Sequence, residues 1–193
     1  IGQARGAAWW RLRQIIDDTF AYKASRRDYD RAQLRSLSLS RADLEVMVPV
    51  IEGRLPLVLT ANRASDILSA LRLQKEVKAK GGLLRLVIAG AAEGWLVKKQ
   101  LVRAKVPVIV TPSEQYPSAF ERLRARDDNP AVLDKAGVKV LLSSYNWFNH
   151  VKRLRQEAGI AVSYGMDRSS ALAAITSRPA EVFGLDDVGM VKK

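Results

Sequence analysis

The sequence predicts an α/β fold built from parallel β/α units. Four short apolar runs recur roughly every 20 to 30 residues, about the length of one β/α unit, and segments with helical periodicity separate them. The runs are continuously apolar instead of alternating, which is typical of strands buried on both faces of a parallel sheet. Four such units correspond either to a small doubly wound sheet or to half of an eight-stranded barrel. No GxGxxG follows the first run, so a dinucleotide-binding sheet has little support.

The composition fits a single domain over residues 1–193, because 48% hydrophobic content can form one sizeable core. The absence of cysteine excludes disulfides, thiolate zinc sites and cysteine nucleophiles. No apolar run approaches the roughly 20 residues of a membrane span, and the N-terminal IGQARGAAWW lacks the apolar core of a signal peptide. We therefore expect no membrane partner and a cytoplasmic location or, if a signal precedes Ile1, a periplasmic one.

Residues 1–39 are expected to form a helix and a polar connection. The helix is predicted over Ala7–Tyr22 by apolar residues that recur on one face, and a short helix is expected in the connection. Ser40, with Asp43 three residues later, has the pattern of an N-cap. The helix that follows contains Pro49, which is expected to kink it, and ends at Gly53.

The β/α units occupy the rest of the chain. The strands are predicted at Pro56–Thr60, Leu86–Ala89, Val106–Val110 and Val138–Leu142. The helices are predicted at Ser65–Lys80, through Trp95 and Leu101, from Pro130, at Asn149–Tyr164 and within Leu172–Val191, with a break before Pro179 and an end at Gly184.

Several of these segments resemble the amidohydrolase superfamily. LAAITSRPAEVFGLDDVGMV resembles the C-terminal end of its barrel, and RASDI after an apolar strand resembles the fifth strand of the imidazolonepropionase-like branch. LVIAGAAEGWLV, VPVIVTP and GVKVLLSS resemble strands six, seven and eight, and FNHVKRLRQEAGIAVSYGM the helix after strand eight. The resemblance covers about Ser40 to Gly189. It implies that residues 40–193 are strands five to eight of a TIM-like (β/α)8 barrel and the following helices, incomplete alone.

The resemblance also implies an activity and a cofactor. Members hydrolyse C–N bonds of amides, cyclic amides or dipeptides with one or two divalent metals, such as zinc, that activate a water and polarise the carbonyl. The implied ligands lie at the carboxyl ends of the strands: a His-x-His on strand one, a His on strand five, often a His on strand six and an Asp on strand eight.

Other residue types occupy those positions in this sequence. Thr60 stands at the strand-five ligand position, Asn62 at a neighbouring histidine position and Ala89 at the strand-six position. Ser144, Tyr145 and Asn146 stand at the end of strand eight. Threonine, asparagine and tyrosine are poor zinc ligands, and catalytic zinc needs about three protein ligands. We therefore predict no metal site and no cofactor for this chain alone.

The polar residues near the predicted strand ends are candidates for lining a pocket. They are Thr60, Asn62, Arg63, Asp66, Glu93, Tyr145, Asn146 and His150. Asp66 and Glu93 form either a carboxylate pair or, as we favour, caps of helix N-termini. Arg63 either binds an anionic ligand or pairs with Asp66. His150, the only histidine, could join Ser143 or Ser144, but one histidine beside serines is commonly a chance arrangement, so no catalytic residue is assigned.

Three functions remain open. The first is an amidohydrolase-like domain of a hydrolase that acts on non-peptide or dipeptide C–N bonds of a small-molecule amide, with a degenerate metal site in this chain. The alternative is an inactive structural or ligand-binding barrel that pairs with an active partner. The third is a basic polyanion-binding module, which would explain the net charge of +12. The basic segments match no nucleic-acid motif, so a nucleic-acid partner is not expected.

A half barrel needs a partner surface. Four strands of an eight-stranded barrel leave two open edges, and open apolar edges drive association. We therefore expect self-association, a partner chain or a longer polypeptide that completes the barrel.

Overall fold

The computed structural model describes residues 4–31, 33, 35–144, 150–185 and 187–190. The chain divides into two compact units, one formed by Ile1–Leu57 and Arg72–Arg85 and the other by Val58–Leu71 and Leu86–Lys193. None of the helices in the described ranges combines the length and the hydrophobicity that a membrane span requires.

The first unit begins with three helices whose positions confirm the sequence predictions. They are α1 (Arg5–Ala24), α2 (Arg26–Asp30) and α3 (Arg41–Ile51). Ser40 caps α3, since its Oγ accepts the Asp43 backbone N–H at 3.3 Å. Pro49 lies inside α3, and Gly53 follows the helix with φ of 72°, a left-handed conformation that ends helices.

Tyr22 lies at the centre of the core of this unit. It packs with Leu44 and Val48, and its ring meets that of Tyr29 edge to face at a centroid distance of 5.1 Å. Its hydroxyl donates to Oε1 of Glu45 at 3.0 Å. Burial, together with the neighbouring Glu45 carboxylate, raises the pKa of Tyr22. The hydroxyl therefore stays protonated and keeps α1 joined to α3.

Asp18 of α1 is a fully buried carboxylate that hydrogen-bonds Arg35 and Ser38 of the connection between α2 and α3. Its Oδ2 accepts the backbone N–H of Ser38 at 2.7 Å, and its Oδ1 accepts from Arg35 at 2.5 Å. Burial raises the pKa of the Asp18 carboxyl, but the hydrogen bond from the Ser38 backbone and the hydrogen bond and charge of Arg35 lower it by more, so the pKa lies below its ordinary value.

Asp18→Asn is expected to lower the free energy of unfolding at pH 7 by about 2 kcal/mol, because it weakens a buried, charge-assisted interaction. Since the folded-state pKa is depressed, the carboxylate contributes its stability above the unfolded pKa of about 3.9. That contribution is lost as the pH falls through the folded pKa, so the variant should lose less stability on acidification than the parent chain. Urea unfolding at pH 7 and below pH 4 measures both effects.

Asp17→Asn is the matched control, because Asp17 is exposed and pairs with the half-exposed Lys80. Its loss should stay within about 0.5 kcal/mol. Equal losses in the two variants would contradict the role given to Asp18.

The second unit is organised around a four-stranded parallel sheet with the order β1-β2-β3-β4. Its strands are β1 (Leu57–Ala61), β2 (Leu86–Gly90), β3 (Val108–Val110) and β4 (Val140–Leu142). In the register, Ala89 lies beside Ile109 and Ile109 beside Leu141. The predicted α/β class, the strand positions and the parallel sheet are confirmed.

Helices follow the strands as the sequence predicts. They are α4 (Ala64–Ala79), α5 (Lys98–Ala104), α6 (Asn129–Lys135), α7 (Leu154–Ser163), α8 (Arg168–Ile175) and α9 (Ser177–Phe183). Pro130 lies in the first turn of α6, where a missing N–H costs nothing. The predicted break before Pro179 lies at Thr176, and Gly184 ends α9 with φ of 71°.

The strands differ in burial, and the prediction of a strand buried on both faces is wrong for β1. Val58 is 38% exposed and Thr60 is exposed, whereas Ile88, Val108 and Val140 have no exposed surface. Val58 and Thr60 lie two residues apart and therefore face the same side of the sheet, so one face of β1 is accessible. Position at the end of the sheet does not explain this exposure, because β4 is also an end strand and is buried.

Candidate functional site

A cavity of about 100 Å³ lies at the carboxyl ends of β1, β2 and β3. It is lined by Thr60, Asn62, Ala89, Gly90, Ile109, Thr111, Glu114 and Arg122. Parallel α/β sheets place their ligand sites at this edge, because the loops after the strands converge there. The cavity therefore has the location expected of a functional site.

Thr60 and Asn62, two of the predicted pocket residues, line this cavity together with Ala89. Ala89 and Ile109 are register partners on β2 and β3, so these two neighbouring strands form one side of the cavity. The walls add the hydroxyl of Thr111 and the paired charges of Glu114 and Arg122.

Asn62 rests directly on Gly90. A Cβ atom at position 90 would lie 2.3 Å from the Asn62 Oδ1, and Gly90 has φ of 91°, a conformation that suits glycine. The Oδ1 is buried and has no hydrogen-bond partner among the described residues. Asn62 also lines the cavity, and its amide carries the donor Nδ2 beside this buried oxygen.

Glu114 and Arg122 form the charged wall. The Arg122 Nη1 donates to the Glu114 Oε2 at 3.2 Å and to the Glu114 backbone carbonyl at 3.3 Å. The two side chains are only 22% and 18% exposed, so the pair is more strongly coupled than a surface salt bridge. Both residues follow β3, and the pair fixes the loop in which they lie.

The cavity continues into a wider, open region of about 430 Å³. Asn62, Glu114 and Arg122 line both spaces. The outer region adds Tyr116, Ser118, Ala119 and Glu121. A bound molecule could therefore place a small polar head in the inner cavity and a larger polar body outside it.

The Asn129 side chain hydrogen-bonds the two loops that follow β2 and β3. It is fully buried, and its Oδ1 accepts the Trp95 backbone N–H at 3.1 Å. Its Nδ2 donates to the Ala91 carbonyl at 3.0 Å and to the Gln115 Oε1 at 2.9 Å. One amide thus joins the loop after β2 to the loop after β3.

Glu157 provides a second buried anchor. This residue of α7 is 2% exposed, and its carboxylate accepts the Ser113 backbone N–H at 2.9 Å and the Ser113 hydroxyl at 2.6 Å. The contact fixes the start of the loop that carries Glu114 and Arg122.

The position of Glu93 distinguishes the two alternatives for the carboxylates, a pair in the pocket or caps of helix N-termini. Glu93 Oε2 accepts the Ala64 backbone N–H at 3.0 Å, so it caps α4 and does not line the cavity. Asp66 lies in the first turn of α4 and also does not line the cavity. The capping alternative is therefore confirmed for Glu93, because its loop passes over the N-terminus of α4.

The other candidates are placed as follows. Arg63 donates through Nη2 to the Phe120 carbonyl at 2.6 Å, and through Nε at 3.1 Å, so it ties down the loop after β3. The backbone of His150 begins a short 3₁₀ helix before α7. Tyr145 and Asn146 lie outside the described residues.

The donors at this edge do not fit a divalent metal. The described residues contain no group of three or more His, Cys, Asp or Glu that could hold a metal ion. In the cavity the one carboxylate, Glu114, is already paired with Arg122, and Thr60, Asn62 and Thr111 offer neither imidazole nor carboxylate.

Sequence reasoning missed Glu114, Arg122, Thr111 and Gly90. Thr111 and Gly90 follow or end predicted strands, so the strand-end rule could have found them. Glu114 and Arg122 lie farther along a loop, and no sequence pattern brings an arginine eight residues later back to the sheet edge.

The comparisons with known proteins agree with this architecture. No family model matches the chain. "Amidohydrolase tasK" of Hapsidospora irregularis is 29% identical over 167 residues, which cover 72% of this chain and 17% of tasK. The crystal structure of an amidohydrolase from Thermotoga maritima MSB8 matches with a TM-score of 0.83 and 24% identity over 98% of this chain and 48% of that chain. The chain thus spans less than half the length of either protein, and its fold is of the amidohydrolase type.

Proposed function

We propose that this chain is the second half of the barrel of an amidohydrolase-like hydrolase acting on non-peptide or dipeptide C–N bonds, and that these residues have lost the divalent-metal site. The amidohydrolase-type fold supports the general assignment. The resemblance of the strand ends to the imidazolonepropionase-like branch supports the identification of β1 to β4 with strands five to eight. The activity belongs to the whole protein, of which this chain supplies one side of the pocket.

The residue types that line the cavity are the observation that supports the proposed loss of the metal site. Thr60 and Ala89 line the cavity at the two positions where histidine ligands are implied, and the nearest carboxylate is neutralised by an arginine. A metal at this edge would face a guanidinium at close range, which is an electrostatic penalty added to the missing ligands.

The metal content of the purified chain tests the proposal. After exposure to zinc and manganese and removal of unbound ions, we expect close to no retained metal, because the cavity lacks the roughly three ligands that catalytic zinc requires. Elemental analysis by mass spectrometry measures the ratio of ions to chain. Retention of about one ion per chain would contradict the loss of the site.

A positive control installs imidazole at the two implied positions. Thr60→His with Ala89→His places two neutral nitrogen ligands at one sheet edge, so the double variant should retain more zinc than the parent chain. Equal retention in both proteins would show that the assay does not report on this cavity.

The exposed edge strand favours a second role, that of a structural or ligand-binding half barrel that pairs with an active partner. Val58 and Thr60 point to one face of β1 and are exposed, as on a sheet face that the remaining strands of a barrel would cover. We propose that a second copy, a partner chain or further residues of a longer polypeptide supply the remaining strands. Sedimentation analysis that finds only a monodisperse monomer of the 193-residue chain would contradict self-association.

A further inference from the structure

Arg122 brings a positive charge to the cavity where amidohydrolases are implied to hold a metal ion. Its side chain lines both the inner cavity and the outer region and is 22% exposed. Only Nη1 is engaged by Glu114, and Nε and Nη2 have no acceptor among the described residues. Three of the five guanidinium N–H donors are thus left for another partner.

The remaining polar groups of the cavity are also mainly donors. Asn62 buries its Oδ1 against Gly90, and the same amide carries the donor Nδ2. Thr60 and Thr111 supply hydroxyls, which can donate to a ligand acceptor as well as accept. The principal acceptor, the Glu114 carboxylate, is engaged by Arg122. The unused donors and the positive charge of Arg122 therefore favour a ligand that presents acceptors.

We propose that the inner cavity binds a small carboxylate group, with Arg122 in the electrostatic role of the absent divalent ion. The guanidinium fork matches a carboxylate in a bidentate arrangement, and the partial burial of Arg122 strengthens the interaction. A space of about 100 Å³ admits the head group only, and the body of the ligand extends into the outer region past Tyr116 and Ser118. The inference rests on the proposed function, because it requires a cavity without a metal.

Three isosteric probes separate the chemical classes. Acetate, acetamide and acetamidinium have the same shape but carry charges of minus one, zero and plus one. Each is titrated into the complete 193-residue chain in the presence of EDTA, and binding is followed by ¹H–¹⁵N chemical-shift changes, including those of the arginine side chains. We expect saturable binding of acetate in the millimolar range, at least about tenfold tighter than that of acetamide, and none of acetamidinium.

Arg122→Gln and Arg124→Gln form the matched pair of variants. Both remove one positive charge from the same loop, but Arg124 is exposed and does not line the cavity. Arg122→Gln should weaken acetate binding at least about tenfold, and Arg124→Gln should leave it within about twofold, since distant surface charge is screened. Arg122→Lys preserves the charge without the fork, so it should give an intermediate affinity and also control for rearrangement of the loop.

Glu114→Gln distinguishes an anion site from a purely structural ion pair. Removal of the competing negative charge should strengthen acetate binding, on the order of fivefold, because Glu114 and the ligand share the guanidinium. If the pair served only to hold the loop, the same substitution would loosen Arg122 and weaken binding.

Several results would overturn the proposal: no saturable acetate binding, equal or tighter binding of acetamide or acetamidinium, or equal effects of Arg122→Gln and Arg124→Gln. If the chain also retains no metal, such a result leaves the proposed function standing. About one retained metal ion per chain would instead contradict the loss of the metal site and, with it, the role of Arg122 as the replacement for the ion, even if acetate still bound in the presence of EDTA.

Discussion

Asn129→Ala is expected to lower the free energy of unfolding by about 3 kcal/mol, the largest effect of a single truncation at this site. The side chain is fully buried and bonds to Trp95, Ala91 and Gln115. Alanine leaves one donor and two acceptors without partners in a buried place, and each unsatisfied group costs about 1 to 3 kcal/mol before relaxation or water entry reduces it. Urea unfolding followed by circular dichroism measures the change.

Gln100→Ala is the control, because it truncates an exposed amide on α5. It should change the free energy of unfolding by no more than about 0.5 kcal/mol. Because Asn129 joins the loops after β2 and β3, its truncation should also broaden or shift the amide resonances of Gln115 and Trp95. A loss for Asn129→Ala no larger than that for Gln100→Ala would refute the anchoring role.

Gly90→Ala is expected to have an effect of similar size and to alter the candidate site. Alanine would have to adopt φ of 91° and would place its Cβ 2.3 Å from the Asn62 Oδ1. The backbone strain costs about 1 to 2 kcal/mol, and displacement of Asn62 adds about 1 to 3 kcal/mol. Acetate binding should weaken as well, because Asn62 lines the cavity. Urea unfolding and the acetate titration measure the two effects.

Gly137→Ala is the control that separates the cost of the Asn62 contact from the cost of the backbone strain at a positive φ. Gly137 has nearly the same φ, 90°, but a Cβ there would meet nothing within 4 Å. The difference between the two variants is therefore the cost of displacing Asn62. In an Asn62→Ala background, Gly90→Ala should cost no more than Gly137→Ala, and a persistent difference would show that the Asn62 contact is not the cause.

Most of the fold could be predicted because its signals are local. The N-cap at Ser40 and the glycine after α3 at position 53 depend on residues within one turn of each other, and both are confirmed. The four apolar runs are likewise confirmed as strands of a parallel sheet. The burial of β1 was predicted incorrectly because an apolar run reports the preference of a strand for burial, and not whether a neighbour covers it.

The candidate site was predicted only in part. Thr60 and Asn62 could be placed because strand ends of a parallel sheet meet at one edge. Glu93 and Arg63 also follow predicted strand ends, but neither lines the cavity. Glu93 caps α4, and Arg63 donates to the Phe120 carbonyl, so each contacts a backbone group of a segment distant in sequence. Neither partner can be inferred from spacing alone.

The sequence by itself determined the α/β class, the strand positions and the helix ends. These properties follow from residue type and from contacts within a few residues. Only the tertiary structure decided that Asn62 packs on Gly90, that Asn129 joins two loops and that Arg122 faces the cavity with Glu114 as its partner. The reason is that such contacts join segments that are distant in sequence and meet only when the sheet forms.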